Sequence, residues 1–325
     1  MPVKKIYNGQ LKNPTFYKNV FMSLITIGMP VYNDKDFIEK SLNSILGQTY
    51  SDFILIISDD GSTDGSGEIC KKYAENDSRI KYIRQEKNLG ISRNMQFLLS
   101  KASSKYFMWA GDDDLYEESF IEKHINVLEK NKRIVSAFCT CALIDESGSV
   151  INNEINYDYS NPNKFKRLKN FIKNSTDYFG YGVFRREEIV GVKFPVWWWP
   201  NKKTPYNNIY PTLCYYLAKG DFAFIKGSPL FFKRVKTEQK THHLLVGKNN
   251  AVKESLAFYI RRLNLALFSF TQIKRAYGLF EALKIYPYLH HYWFVIPSWR
   301  QTKLTLNALW NNKILRKNRK RLNNE

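Results

Sequence analysis

The sequence has few cysteines and no long uninterrupted apolar run. None of its four cysteines forms a C-x-x-C pair, which argues against a disulfide-stapled fold or a thiolate zinc site. Cys139 and Cys141 lie two apart in IVSAFCTCALI (134–144), which we predict to be one strand with buried, reduced thiols, as in a cytosolic protein. No stretch reaches the roughly 18 uncharged apolar residues of a membrane span. The polar start MPVKKIYNGQLKNP predicts no signal peptide.

Acidic residues are scarce in the second half of the chain. Residues 1–150 hold 19 Lys or Arg and 20 Asp or Glu, residues 151–252 hold 17 and 7, and residues 253–325 hold 14 and 3. The net charge of +20 therefore comes from the second half. A basic block of this kind favours an anionic partner such as nucleic acid, acidic lipid or a phosphorylated substrate.

Strand-like and helix-like segments alternate in the first part of the chain. The apolar run FILIIS is typical of a strand covered on both faces, and DKDFIEKSLNSILGQ has the apolar stripe of an amphipathic helix. We predict an α/β fold with a mostly parallel central sheet covered by helices. Polar clusters at 32–34, 59–64 and 112–114 follow predicted strands. Ligands of such sheets bind beyond the carboxyl ends of the strands.

Three adjacent carboxylates stand in WAGDDDLY, at Asp112, Asp113 and Asp114. A helix start needs only one acid, and each pair of neighbouring carboxylates repels by on the order of 1–4 kcal/mol at a protein surface. A divalent cation would relieve that repulsion. Because no His or Cys is close in sequence, the donor set favours Mg²⁺ or Mn²⁺, which can bridge to substrate phosphates. DDGSTDGSG (59–67) does not fit a calcium loop, because a loop that starts at Asp60 would have Lys71 at its twelfth position, where a Glu is required. It does not fit a dinucleotide fingerprint either.

Four motifs occur in order along the chain: MPVYND, SDDGSTDGS, NLGISRN and WAGDDDLY. In this order and spacing they resemble the family-two glycosyltransferases with the A-type nucleotide-sugar fold, clearly over 23–145 and weakly over 175–225. The resemblance implies a metal-dependent, inverting glycosyltransferase. Such an enzyme would move a sugar from a nucleotide-sugar, expected to be a UDP-sugar, to a saccharide or lipid-linked saccharide. The expected role is synthesis of a surface polysaccharide such as capsule or lipopolysaccharide.

The resemblance also implies which residues would bind the donor. Pro30 and Tyr32 match the motif whose aromatic ring lies against the donor base, where stacking supplies affinity. Asn33 and Asp34 continue that loop. Asp60 matches the Asp that hydrogen-bonds the base, and Arg93 matches an Arg near the nucleotide.

The metal ligands follow from the same resemblance. Asp112 and Asp113 match the element that holds the ribose and the metal. The sequence departs from the family at Gly111, where many members carry Asp. We therefore assign Mn²⁺ or Mg²⁺ chiefly to Asp113, with Asp112 and Asp114 in support. The metal would neutralise charge on the departing nucleoside diphosphate, while a carboxylate deprotonates the acceptor hydroxyl.

The catalytic base has no obvious position in the sequence. The resemblance implies an Asp at the start of a helix of the form D-x-x-L-x-x-x-L-x-x-G. The nearest stretch, NNIYPTLCYYLAKG, has Tyr210 in that place. Asp177 and Asp221 stay open as candidates, as do His242 and His243. The missing acid also leaves open a homologue that binds nucleotide without turnover.

Four parts are expected along the chain. They are a lead segment (1–22), a nucleotide-sugar-binding domain (23–145), the acceptor-binding part of the same catalytic domain (146–249) and a basic helical extension (250–325). The tryptophans of WWW (197–199) could stack on a sugar, contact lipid or pack internally.

The basic extension indicates the setting in which the protein works. Its aromatic and aliphatic residues interleave with Lys and Arg, which suits the interface of an anionic membrane. We expect a cytoplasmic protein that is peripheral on the inner face of the cell membrane. A nucleic-acid-binding protein is the weaker interpretation, because the chain has no recognisable nucleic-acid motif and the predicted cleft is acidic.

Overall fold

The computed structural model describes residues 23–155, 157–198, 205–206, 209–236 and 251–299. The predicted lead segment (1–22) lies outside these residues. In the first part of the chain, strands and helices alternate in this order: β1 Ile25–Val31, α1 Lys35–Leu46, β2 Phe53–Asp59, α2 Ser66–Asn76, β3 Ile80–Arg84, α3 Ile91–Lys101, β4 Tyr106–Trp109, β5 Leu115–Tyr116, α4 Phe120–Lys130, β6 Ile134–Cys139 and β7 Cys141–Ile144.

The second part of the chain adds shorter strands and then long helices. A one-turn 3-10 helix, Tyr178–Tyr181, precedes β9, and a π-helical stretch, His290–Val295, follows α9. The elements are β8 Val150–Ile155, α5 Lys164–Asn174, β9 Val183–Arg185, α6 Arg186–Ile189, β10 Trp197–Trp198, β11 Pro205–Tyr206, α7 Tyr210–Lys219, β12 Asp221–Ile225, β13 Phe231–Arg234, α8 Ala251–Tyr277 and α9 Leu279–Leu289.

The main sheet has seven strands in the order β12-β6-β9-β4-β1-β2-β3. All neighbouring pairs are parallel except those of β9, which runs antiparallel to both β4 and β6. The central strands are buried along their length, as expected for a sheet covered on both faces. The predicted α/β fold with a mostly parallel, helix-covered sheet is confirmed.

The prediction of one strand over 134–144 is wrong. The chain leaves the main sheet after β6, and β7 joins a second, four-stranded sheet in the order β5-β13-β7-β8. The apolar pattern runs on through Thr140 because both strands are buried, so the pattern did not reveal the break. All four cysteines are free and buried, as expected. Burial raises the pKa of the Cys70 thiol to about 12, which keeps that thiol protonated.

The predicted basic extension is helical over its described residues. Helix α8 packs against α7 and α9. The side chain of Gln272 donates a hydrogen bond to the Lys193 carbonyl (2.7 Å), and the indole of Trp293 donates one to the Ile172 carbonyl (2.9 Å). These bonds hold the extension against the part of the chain that precedes it. Among the described residues, every helix is too short or too polar to traverse a bilayer.

Candidate functional site

Two polar loops meet beyond the carboxyl ends of β1 and β2. Asn33 adopts a left-handed conformation (φ 54°), which an Asn tolerates better than most residues. Its backbone N–H donates to the Ser62 hydroxyl (3.1 Å), and its side-chain oxygen accepts from the Thr63 backbone N–H (2.8 Å). The Asp34 N–H donates to the Ser66 hydroxyl (2.8 Å). These bonds fix the loop after β1 against the loop after β2.

A third loop follows β4 and carries the acidic triplet. The Asp112 carboxylate accepts from the Tyr32 backbone N–H (3.2 Å). Asp114 turns the other way, is buried, and accepts from the Arg234 backbone N–H (2.9 Å). A Cβ at Gly111 would lie 2.4 Å from the Asp114 Oδ2 atom. Glycine at 111 therefore leaves room for Asp114 to fold back over the loop.

Three carboxylates converge where these loops meet. Asp34, Asp112 and Asp113 each place one carboxylate oxygen within 4.8 Å of the others. Burial, and then the neighbouring acids, raises the pKa of Asp112 well above its usual range. Burial also raises the pKa of Asp34, although Lys236 opposes the rise. Closely spaced carboxylate oxygens without His or Cys form a donor set that fits a hard divalent cation such as Mg²⁺ or Mn²⁺.

A cleft of about 600 Å³ opens beside these carboxylates. Its floor includes Trp109, whose ring meets that of Phe194 edge to face at 5.6 Å. The lining residues come from the three loops, from α3 and from the second part of the chain. They are Pro30, Val31, Tyr32, Asp34, Asp60, Ile91, Ser92, Asn94, Met95, Trp109, Ala110, Gly111, Asp112, Asp113, Asp177, Tyr181, Phe194 and Ile209.

Most of the residues predicted to bind the donor lie at this cleft. Pro30, Tyr32 and Asp60 line it, and Tyr32 is half-exposed. The buried Asp60 carboxylate accepts from the backbone N–H groups of Leu89 (2.7 Å) and Gly90 (2.9 Å), which ties the NLGIS segment to β2. Burial raises the pKa of Asp60.

Other predicted residues lie away from the cleft. Asn33 is engaged between the two loops, and Arg93 is exposed on α3; neither lines the cleft. Asp114, predicted to support the metal, is outside the carboxylate cluster, and Asp34 takes its place. The sequence offered no signal for this exchange, because the side-chain directions of adjacent residues in a turn depend on its backbone angles.

The candidate bases are separated by the structure. Asp177 lines the cleft and accepts two hydrogen bonds from the Lys233 ammonium, both 2.7 Å. Asp221 lies at the start of β12, away from the cleft lining, and its nearest cation is Arg167 at 3.6 Å. Tyr210 donates its hydroxyl to the Ser175 carbonyl (2.7 Å). His242 and His243 lie outside the described parts of the chain. The side chains of the three tryptophans at 197–199 also lie outside them.

The comparisons with known proteins add to this geometry. The family model described as "Glycosyl transferase family 2" matches residues 26–192, about half of the chain. The chain belongs to this family. The resemblance carried by the four motifs is therefore confirmed.

Curated relatives of this family-2 chain match less than half of its length. GlyA of Streptococcus pneumoniae, a glycosyltransferase, is 43% identical over 98 residues, which cover 30% of this chain and 14% of GlyA. The glycosyltransferase GlyG of the same organism is 33% identical over 141 residues, covering 43% of this chain and 42% of GlyG. The chain thus spans less than half the length of either relative.

Solved structures share the fold of this family-2 chain over most of its length. TarS 1–349 of S. aureus, in complex with UDP-GlcNAc, aligns with a TM-score of 0.56 at 15% identity, covering 88% of this chain and 79% of that one. The mannosyltransferase PcManGT from Pyrobaculum calidifontis, in complex with GDP-Man and Mn²⁺, aligns with a TM-score of 0.51 at 15% identity, covering 90% and 75%. At this identity the likeness shows the fold.

Two basic residues at the site were absent from the sequence prediction. Lys236 places its ammonium 2.5 Å from an Asp34 oxygen and 2.9 Å from an Asp113 oxygen. Arg234 is buried and donates to the backbone carbonyls of Asp113 (2.8 Å), Asp145 (2.6 Å) and Glu146 (3.0 Å). Both lie more than a hundred residues beyond the triplet in a segment with no recognisable motif, so only the fold brings them to it.

Proposed function

We propose that this chain is a metal-dependent, inverting glycosyltransferase that moves a sugar from a UDP-sugar to a saccharide or lipid-linked saccharide. The observation that carries the proposal is the convergence of Asp34, Asp112 and Asp113 in the lining of the cleft. Such a cluster repels a diphosphate unless its negative charge is compensated, and the single Lys236 ammonium compensates only part of the charge of three carboxylates. Mn²⁺ or Mg²⁺ at these oxygens would supply that compensation and neutralise the leaving diphosphate.

We assign a separate role to each of three residues that line the cleft. Tyr32 offers a half-exposed aromatic ring at the cleft edge, suited to stacking on a base. Asp60 presents a carboxylate held by two backbone N–H groups, so it can accept from the base in a fixed position. Asp177, which also lines the cleft, is the carboxylate we assign to removing the proton from the acceptor hydroxyl.

Calorimetric titration of UDP into the purified protein with and without Mn²⁺ tests this proposal. We expect Mn²⁺ to tighten UDP binding, and Asp113→Asn to weaken it by about tenfold or more, because a ligand oxygen loses its charge. The control is Glu118→Gln, which removes one charge from an exposed position a few residues further along. UDP binding that ignores both Mn²⁺ and Asp113 would contradict the metal site. Binding without turnover of any nucleotide-sugar would indicate the catalytically impaired homologue.

We also propose that the protein works as a peripheral protein on the inner face of the cell membrane. Two features of the extension support this. Its helices expose apolar side chains at helical spacing, Leu263 and Leu267 on α8 and Leu279, Phe280 and Leu283 on α9, with Phe280 80% exposed. Residues 253–325 also carry 14 Lys or Arg against 3 Asp or Glu. An apolar, basic surface suits the headgroup region of an anionic bilayer, where lipid-linked acceptors reside.

A further inference from the structure

The Lys236 ammonium lies among the carboxylates that we propose bind the divalent cation. It lies 2.5 and 2.6 Å from the two oxygens of Asp34 and 2.9 Å from an oxygen of Asp113. The Lys236 side chain is 22% exposed, and its ammonium lies 5.0 Å from the centre of the Phe37 ring. The ammonium of Lys236 is therefore already paired with two of the three clustered carboxylates.

Anchoring of the segment does not account for this arrangement. Arg234, two residues earlier, already binds the acidic loop through its backbone N–H and its guanidinium. The same guanidinium reaches the carbonyls of Asp145 and Glu146. The end of β13 is thus fixed without the Lys236 ammonium. What Lys236 adds is charge compensation for acids that would otherwise repel one another.

We propose that Lys236 is an internal counter-cation that competes with the divalent cation for Asp34 and Asp113. This inference rests on the proposed function of the site. A divalent cation bound by these oxygens would lie beside the ammonium and be repelled by it, so the metal alone binds weakly. A nucleoside diphosphate removes this obstacle, because its phosphates give the displaced ammonium a new anionic partner. Metal and donor therefore bind together, and the free enzyme holds little metal.

A titration of the full chain with Mn²⁺ tests the competition between Lys236 and the divalent cation without any activity measurement. The electron paramagnetic resonance signal of the free ion reports how much Mn²⁺ is bound. Without nucleotide, we expect Lys236→Met to bind Mn²⁺ about tenfold more tightly than the unmodified protein. Lys226→Met is the matched control, because it removes the same charge from an exposed position ten residues earlier, and it should leave the affinity unchanged. Lys236→Arg, which keeps the charge, should retain weak binding.

The second measurement is the effect of UDP on the same titration. UDP should tighten Mn²⁺ binding strongly in the unmodified protein and much less in Lys236→Met, because the competing charge is already gone. If Lys236→Met does not fold, as judged by circular dichroism, Lys236→Gln carries the same expectation and keeps a hydrogen-bond donor at the position.

The outcomes separate the two proposals. Equal or weaker Mn²⁺ affinity in the neutral variants, with UDP-dependent binding intact, would overturn the competition and leave the proposed function standing. Absence of Mn²⁺ binding in every variant, with and without UDP, would overturn the metal site and the role of Lys236 with it.

Discussion

At the scale of single residues, polar side chains from three loops line one cleft. The clusters at 32–34, 59–64 and 112–114 follow β1, β2 and β4, and each contributes to the cleft lining. Strand periodicity and the rule for ligands at parallel sheets were enough for that. The choice between Asp34 and Asp114 was not predictable, because it depends on Asp114 turning back over Gly111.

The two candidate bases differ enough in position to be separated by a pair of matched substitutions. Asp177→Asn should lower kcat by about a hundredfold or more, the scale of a lost general base, while UDP and Mn²⁺ still bind. Asp221→Asn should leave kcat nearly unchanged, because Asp221 faces Arg167 away from the cleft. Turnover of a nucleotide-sugar and calorimetric UDP binding would be measured on both variants. Equal losses in the two variants would contradict the assignment to Asp177.

At the scale of elements, the longer helices and strands follow the apolar pattern of the sequence, whereas the short strand β9 does not. Helices α1 to α4 and strands β1 to β4 agree with the apolar periodicity of their segments. Strand β9 has three residues and enters the main sheet antiparallel, between β4 and β6. Three residues are too few to show a period, and the partners of β9 lie far away in sequence. Tertiary pairing, which the local pattern does not contain, makes this segment a strand.

Helix α4 carries a buried histidine that should make stability depend on pH. The His124 Nδ1 atom lies 2.6 Å from the Phe120 carbonyl oxygen, and burial lowers the pKa of the ring to about 4 from 6.5. The folded state thus favours the neutral ring. Its contribution to stability is complete above pH 6.5 and is lost as the pH falls toward 4.

Because of His124, we expect the free energy of unfolding to fall by about 2 kcal/mol between pH 7 and pH 5, at about 1.36 kcal/mol per pKa unit. Urea unfolding of the unmodified protein and of His124→Phe at both pH values measures the difference. Phenylalanine keeps a ring beside Phe120, which stacks on His124 with centroids 4.0 Å apart. The variant should lack this part of the pH dependence; the same slope in both proteins would mean that the ring does not titrate as described.

At the scale of the whole molecule, the acidic residues of the cleft contrast with the basic sequence of residues 253–325. Sedimentation with phosphatidylcholine vesicles, with and without phosphatidylglycerol, tests whether that part of the chain binds membranes. We expect binding only to the anionic vesicles. Replacing Phe280 and Leu283 by serine should weaken it by about tenfold or more, because each removes apolar area from the interface.

The control for membrane binding lies elsewhere on the molecule. Val150 and Ile151 on β8 are also exposed apolar residues, and their replacement by serine should leave vesicle binding unchanged. High salt should reduce the binding of all proteins tested, because the basic residues contribute through screened electrostatics. Binding that is the same with neutral vesicles, or unaffected by the Phe280 and Leu283 substitutions, would contradict the membrane proposal.

The antiparallel strand β9 has a consequence for how this enzyme can diversify. The cleft residues Asp177 and Tyr181 stand just before β9, and that strand lies between β4 and β6 in the sheet whose loops line the cleft. In the proposed function, the assigned base Asp177 is therefore positioned by the same sheet as the loops proposed to bind the nucleotide. Chimeric proteins that exchange the second part of the chain between relatives must therefore transfer β9 together with β4 and β6, the two strands that flank it.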